Sequence, residues 1–169
     1  EGIFYESYLQ NIVLYKDLFE GKFSKNHLII LGINNFVDSN DSNKKKYFNS
    51  FVILNNKLEI LHVYNKISLV PFGEFLPFEK ILSKIGLKKI TPGYNSFSSG
   101  DVRKIINLGN EFNKKSILPL ICYEIIYPGK IKTKNQYPSL VVNISEDAWF
   151  GDSIGPYQHY AKAIYRSVE

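Results

Sequence analysis

The chain has 169 residues, and a hydrophobic share of 44% is ordinary for a globular domain with one substantial core. Its 21 basic and 16 acidic residues leave a formal charge of +5, carried on loops such as Asn43-Lys44-Lys45-Lys46 and Asn113-Lys114-Lys115. That is a solvated surface with some attraction for anionic phosphate; with no nucleic-acid motif and the aromatics held in apolar runs, it argues against a nucleic-acid partner.

Tyr5, Tyr8, Leu9, Ile12, Val13 and Phe19 fall at spacings of three, four and seven, which predicts a helix over 5–19 stopped by Gly21. The apolar run 27–33 predicts a buried strand, and a polar loop follows around 38–46. Two further strands, 47–54 and 58–64, flank Asn55-Asn56 and read as a hairpin. Pro71, Pro77 and Pro92 punctuate the middle, yet Phe78, Ile81, Leu82 and Ile85 keep helical spacing. Strands are predicted over 102–108, 116–123 and 139–144, the last two so continuously apolar that both faces should be covered. Tyr157, Ala161, Ile164 and Val168 form one stripe of a C-terminal helix. No repeat or linker divides the chain, so a single α/β or α+β layered domain over 1–169 is expected. No stretch approaches the roughly 20 apolar residues of a membrane span.

The one cysteine, Cys122, cannot form an internal disulfide, so it is either a small core residue or a nucleophile. Several polar residues lie at the ends of apolar strands, where a scaffold presents its chemistry: Lys66, Glu124, Asn143, Ser145, Glu146 and Asp147. A nucleophilic thiol needs a base for its proton and a cation or donor for the developing oxyanion, and carboxylate and lysine can fill both roles without histidine. No cysteine-histidine cluster is spaced to hold zinc, and no metal or organic cofactor is expected.

Three segments carry a family resemblance. They are Tyr64-Asn65-Lys66-Ile67-Ser68-Leu69-Val70-Pro71-Phe72-Gly73-Glu74-Phe75-Leu76-Pro77, then Ile121-Cys122-Tyr123-Glu124-Ile125-Ile126-Tyr127-Pro128, then the run from Asn143-Ile144-Ser145-Glu146-Asp147-Ala148-Trp149-Phe150-Gly151-Asp152 through His159 to Arg166-Ser167-Val168-Glu169. Together they resemble the nitrilase, or carbon-nitrogen hydrolase, superfamily with its Glu-Lys-Cys triad. Lysine and the Cys-Tyr-acidic segment alone indicate only the superfamily. The Val-Pro-Phe-Gly-Glu and Asp-Ala-Trp-Phe-Gly-Asp runs resemble its bacterial membrane branch, the apolipoprotein N-acyltransferases.

The resemblance implies an αββα sandwich of two packed sheets flanked by helices. It makes Cys122 the nucleophile, Lys66 the oxyanion-stabilising cation, and Glu74 and Glu124 supporting carboxylates. The N–H of Tyr123 becomes an oxyanion donor. Tyr123, Trp149 and Phe150, core aromatics by default, become residues near the acyl pocket. The family's base is the glutamate of a Trp-Pro-Glu segment, which Glu1 matches without the Trp-Pro; Glu6 is the fallback. Glu146 stands where the family usually has Asn, and Ser167 where it usually has Ala. The chain opens on glutamate and has no methionine, so it is expected to be excised from a longer protein.

That protein, by resemblance, is an enzyme of the bacterial inner membrane with this domain facing the periplasm. A phospholipid, usually phosphatidylethanolamine, would donate an acyl chain through a thioester on Cys122, and an apolipoprotein amine would accept it. The segment 75–90, apolar on one face and carrying Lys80, Lys84, Lys88 and Lys89, is expected either to lie on the bilayer as an arm or to pack as an ordinary surface helix. Two other readings are a soluble amidase with the same triad and a catalytically dead lipid-binding domain.

Overall fold

Side chains alternate across a strand, so a run apolar at every position must bury both faces. Two strands of this protein do so, and they set its layers. The structure is a computed structural model that describes residues 8–38, 45–82, 84, 86, 96–131 and 137–168.

Strands β1 (Ile29–Asp38), β2 (Lys45–Leu54) and β3 (Ile60–Asn65) form an antiparallel sheet with β2 in the middle. Asn55 closes the β2–β3 hairpin, its side-chain oxygen accepting from the N–H groups of Lys57 (2.9 Å) and Glu59 (3.0 Å). A second sheet holds β4 (Ile106–Asn107), β5 (Ser116–Ile121) and β6 (Leu140–Ile144), with β5 central, antiparallel to β4 and parallel to β6.

From β2, Phe51 and Ile53 point toward the second sheet, where Ile117 and Ile121 of β5 meet them. Val52 and Leu54 point the other way, onto Leu9, Ile12 and Leu58. From β5, Leu118 and Leu120 turn outward to Ile125, Ile131 and Ala163. Three apolar clusters thus separate four layers, the expected αββα order. Each fully buried Leu, Ile or Phe side chain contributes about 1.5–3 kcal/mol relative to exposure.

Several expected elements take another form. In place of one α-helix over 5–19, a 3-10 helix (Leu9–Tyr15) leads into a short α1 (Lys16–Phe19); the stripe Leu9, Ile12, Tyr15 has the three-residue spacing a 3-10 turn aligns, and Val13 points out. Tyr5 lies outside the described residues. Strand β1 runs on to Asp38, because pairing as far as Asp38 with Lys45 outweighs the polarity of its end. The strand expected over 102–108 is reduced to β4. Leu140 and Val141 of β6 are exposed, so this strand is not covered on both faces as expected; among the described residues it has one neighbouring strand.

Helix α2 (Glu79–Leu82) is a single turn, and Ile85 lies outside the described residues. Helix α3 (Gly155–Ser167) forms where expected, with Pro156 in its first turn. Its predicted stripe is only partly covered: Tyr157, Ile164 and Val168 face solvent and Ala161 is partly buried, while His159 is buried and Ala163 packs inward. Among the described residues no helix is long and apolar enough to cross a membrane.

Candidate active site

Strand ends assemble the site. Lys66 is the first residue after β3, Cys122 the first after β5, and Ser145 the first after β6. At Cys122 the chain breaks from extended backbone into a 3-10 turn (Cys122–Ile126), and the cysteine takes a φ of +50°. For a residue with a Cβ this left-handed conformation costs about 1–3 kcal/mol and persists only where the surroundings impose it.

Glu124 helps impose it. Its side chain is fully buried, and its two oxygens accept from the N–H of Ile121 (3.0 Å), the N–H groups of Ile67 and Ser68 (3.0 Å each), the Tyr64 hydroxyl (2.8 and 2.9 Å) and Arg103 Nη2 (2.8 Å). These bonds tie the loop after β3 to the loop after β5. With its lone pairs committed to donors, Glu124 is a clamp between the two loops. Arg103 continues the network, donating Nη1 to the Lys130 carbonyl (2.9 Å) and Nε to the Tyr64 hydroxyl (3.2 Å). Burial and the Glu124 charge push the Tyr64 phenol well above its ordinary range, against an opposing pull from Arg103.

Lys66 is 1% exposed, and its Nζ lies 2.8 Å from Oε2 of Glu74, itself 5% exposed. The contact is ionic and not aligned as a directed hydrogen bond, so among the described residues the ammonium keeps unsatisfied donors. Glu74 is anchored independently: Asn49 Nδ2 donates to Oε1 (2.8 Å) and the Val70 N–H to Oε2 (2.9 Å). The passing segment 96–100 fastens both, through Phe97 N–H to the Glu74 carbonyl and Gly100 N–H to the Lys66 carbonyl (2.8 Å each). A Cβ at Gly100 would stand 2.2 Å from the Asn65 carbonyl oxygen, so glycine alone permits this approach.

On the other side of the cysteine, His159 of α3 is 6% exposed and bridges Asp147 and the Cys122 carbonyl. Tyr123 stacks on the His159 ring at 6.3 Å and Phe150 lies 6.0 Å from it. Phe150 also fills the space beside Gly155, where a Cβ would come within 2.4 Å of the ring. Trp149 is half exposed and joins none of the apolar clusters. Glu146, at the family's usual Asn position, caps the short turn Asp147–Phe150 by accepting from the Ala148 N–H (3.1 Å).

The structure therefore brings Lys66 and Glu74 into contact, and fastens their loop to the Cys122 turn through Glu124. Glu1 and Glu6 lie outside the described residues, so neither expected base is placed. Sequence reasoning missed Asn49, Arg103 and His159. The polar pair Asn49-Ser50 inside the apolar run 47–54 was a usable signal; Arg103 had none, since its partner Glu124 is 21 residues away.

A model of the carbon-nitrogen hydrolase family matches residues 23–169. Over 122 residues the chain is 41% identical to the apolipoprotein N-acyltransferase of Bradyrhizobium diazoefficiens and 43% identical to that of Rhodopseudomonas palustris, in each case 72% of this chain and 22% of the relative. It is 35% identical over 144 residues to the enzyme of the same name from Rhizobium leguminosarum bv. trifolii, 85% of this chain and 26% of that protein. The chain thus spans about a quarter of the length of these curated relatives.

Proposed function

We propose, since the chain belongs to the carbon-nitrogen hydrolase family, that it is the catalytic domain of an apolipoprotein N-acyltransferase working through a thioester on Cys122. The observation that carries this reading is the buried Lys66 ammonium, oriented by Glu74 and keeping free donors among the described residues, in a loop fastened to the strained cysteine turn. A buried ammonium with unused N–H groups stabilises negative charge that develops beside it far more than it would in water.

In the proposed reaction a glutamate, Glu1 in this numbering, takes the Cys122 thiol proton. The sulfur attacks the sn-1 ester carbonyl of a phospholipid, phosphatidylethanolamine in the first instance. Lys66 and the Tyr123 N–H hold the oxyanion. As it collapses, the C–O bond breaks, the glutamate returns its proton to the leaving alkoxide, and lysophospholipid departs. The α-amine of an S-diacylglyceryl-cysteine apolipoprotein then loses a proton to the same base, attacks the thioester and receives the acyl chain. Cys122 regains its proton.

A lipid donor places the enzyme at a membrane, here the bacterial inner membrane with this domain on the periplasmic side. The surface around Glu74 suits that setting. Phe78 is 80% and Ile81 64% exposed, and Phe72 and Phe78 are presented from left-handed backbone (φ +62° and +50°). An ordinary packed helix would bury these side chains; an arm dipping into the headgroup layer would use them. Ile85, Lys88 and Lys89 of this segment lie outside the described residues.

The test is intact mass of the full-length protein in detergent after incubation with phosphatidylethanolamine, for wild type and Cys122→Ala. A hydroxylamine-labile gain of one acyl chain, absent in the variant, is expected. No adduct, together with hydrolysis of small amides, would replace the acyltransferase reading by an amidase.

A further inference from the structure

We propose that His159 is a positioning residue that grips the Cys122–Tyr123 peptide as a doubly protonated imidazolium braced by Asp147, and so aims the Tyr123 N–H at the oxyanion. The proposal rests on the reading of Cys122 as nucleophile. Its geometry is simple: Nε2 of His159 lies 3.1 Å from the Cys122 carbonyl oxygen, and Nδ1 lies 2.9 Å from Asp147 Oδ1.

A peptide carbonyl and an ionised carboxylate only accept, so both bonds are made only when both ring nitrogens carry hydrogen. Asp147 supplies the ionised partner. Partial burial pushes its carboxyl up, but hydrogen bonds from Ser145 and His159 and the His159 charge outweigh this and hold it below its ordinary range. Among the described residues, the groups packed around the ring come from three elements, with Arg166 two turns along the same face of α3. From the turn Cys122–Ile126 come the Cys122 carbonyl and the stacked Tyr123 ring, while Glu124 is committed to Tyr64 and Arg103. From the turn Asp147–Phe150 come Asp147 and the Phe150 ring. On α3 itself, Tyr160 and Lys162 point to solvent.

The consequence follows from peptide planarity. The Cys122 C=O and the Tyr123 N–H belong to one trans unit and point in opposite directions. A cationic donor pulling the carbonyl toward α3 therefore directs the N–H to the opposite side and polarises it, which strengthens it as a donor. Glu124 anchors the chain entering the turn at Ile121, and His159 anchors it at Cys122, which accounts for the persistence of the +50° φ.

The test compares wild type, His159→Ala and His159→Gln in the full-length detergent protein, reading thioester formation and Cys122 alkylation by iodoacetamide across pH. Alkylation needs the thiolate but no oxyanion donor. In His159→Ala, thioester formation should fall about tenfold to a hundredfold, with the phospholipid KM within about twofold and alkylation within about threefold. His159→Gln, which keeps an N–H donor, should recover most of that rate. An unchanged rate in His159→Ala, or equal loss of both readouts in the two variants, would overturn the proposal. Solid-state NMR of 15N-histidine-labelled wild type, with the His159→Gln spectrum as reference, reads the ring directly: two N–H nitrogens at neutral pH are expected, and a singly protonated ring would refute the idea. That readout stands even if wild type forms no thioester, an outcome that would instead defeat the acyl-transfer reading.

Discussion

Among single residues, Tyr64 shows how this site stores its order. Its hydroxyl donates to one buried carboxylate and accepts from one partly buried guanidinium, so deleting it leaves both under-satisfied. Tyr64→Phe should cost about 1–3 kcal/mol at pH 8, measured by denaturant unfolding. The sign with pH is determined. The folded phenol holds its proton more tightly than the unfolded one, so its stabilisation is complete below the unfolded pKa of about 10 and is lost as pH rises from there toward the folded value. The gap between wild type and Tyr64→Phe should narrow above about pH 10, and a constant gap would mean that the phenol titrates normally.

Taken as elements, the loops at the strand ends matter more than the strands, and they are held by one another. The segment 96–100 crosses the loop after β3 at backbone contact distance, and its glycine is the condition for that crossing. Gly100→Ala forces a backbone carbonyl to move, which should lower stability by about 1–3 kcal/mol and displace Lys66. Thioester formation should then fall more than Cys122 alkylation, because only the former uses the lysine; parallel loss would indicate general unfolding. Much of this level was legible beforehand. The strand pairs, the Asn55 turn and the C-terminal helix follow from periodicity and turn chemistry, whereas the 3-10 opening and the exposed stripe of α3 do not, since an apolar stripe says that a face wants cover without saying which face receives it.

For the whole molecule, two sheets face to face place the ends of β3, β5 and β6 at one site, with exposed Phe72, Phe78 and Ile81 on the loop after Lys66. If those side chains meet a bilayer, replacing Phe78 and Ile81 together by serine should reduce turnover of vesicle-embedded phospholipid about tenfold or more while leaving the unfolding midpoint within about 1 °C. A matching drop in the midpoint would show instead that they pack within the protein.

By itself the sequence carried the family motifs around Cys122, Lys66 and Glu74, because each is a short contiguous segment whose resemblance needs no tertiary contact. It also pointed to the doubly buried β5, since a strand apolar at nearly every position must be covered on both faces, whereas the same expectation failed for β6 and the double burial of β2 emerged only from the structure. Only the tertiary structure decided that Glu124 is a clamp, that Arg103 completes it across 21 residues, and that His159 reaches the Cys122 carbonyl across 37. The reason is physical: each of these side chains acts on backbone groups brought near by sheet packing, and a contact of that kind leaves no periodicity along the chain.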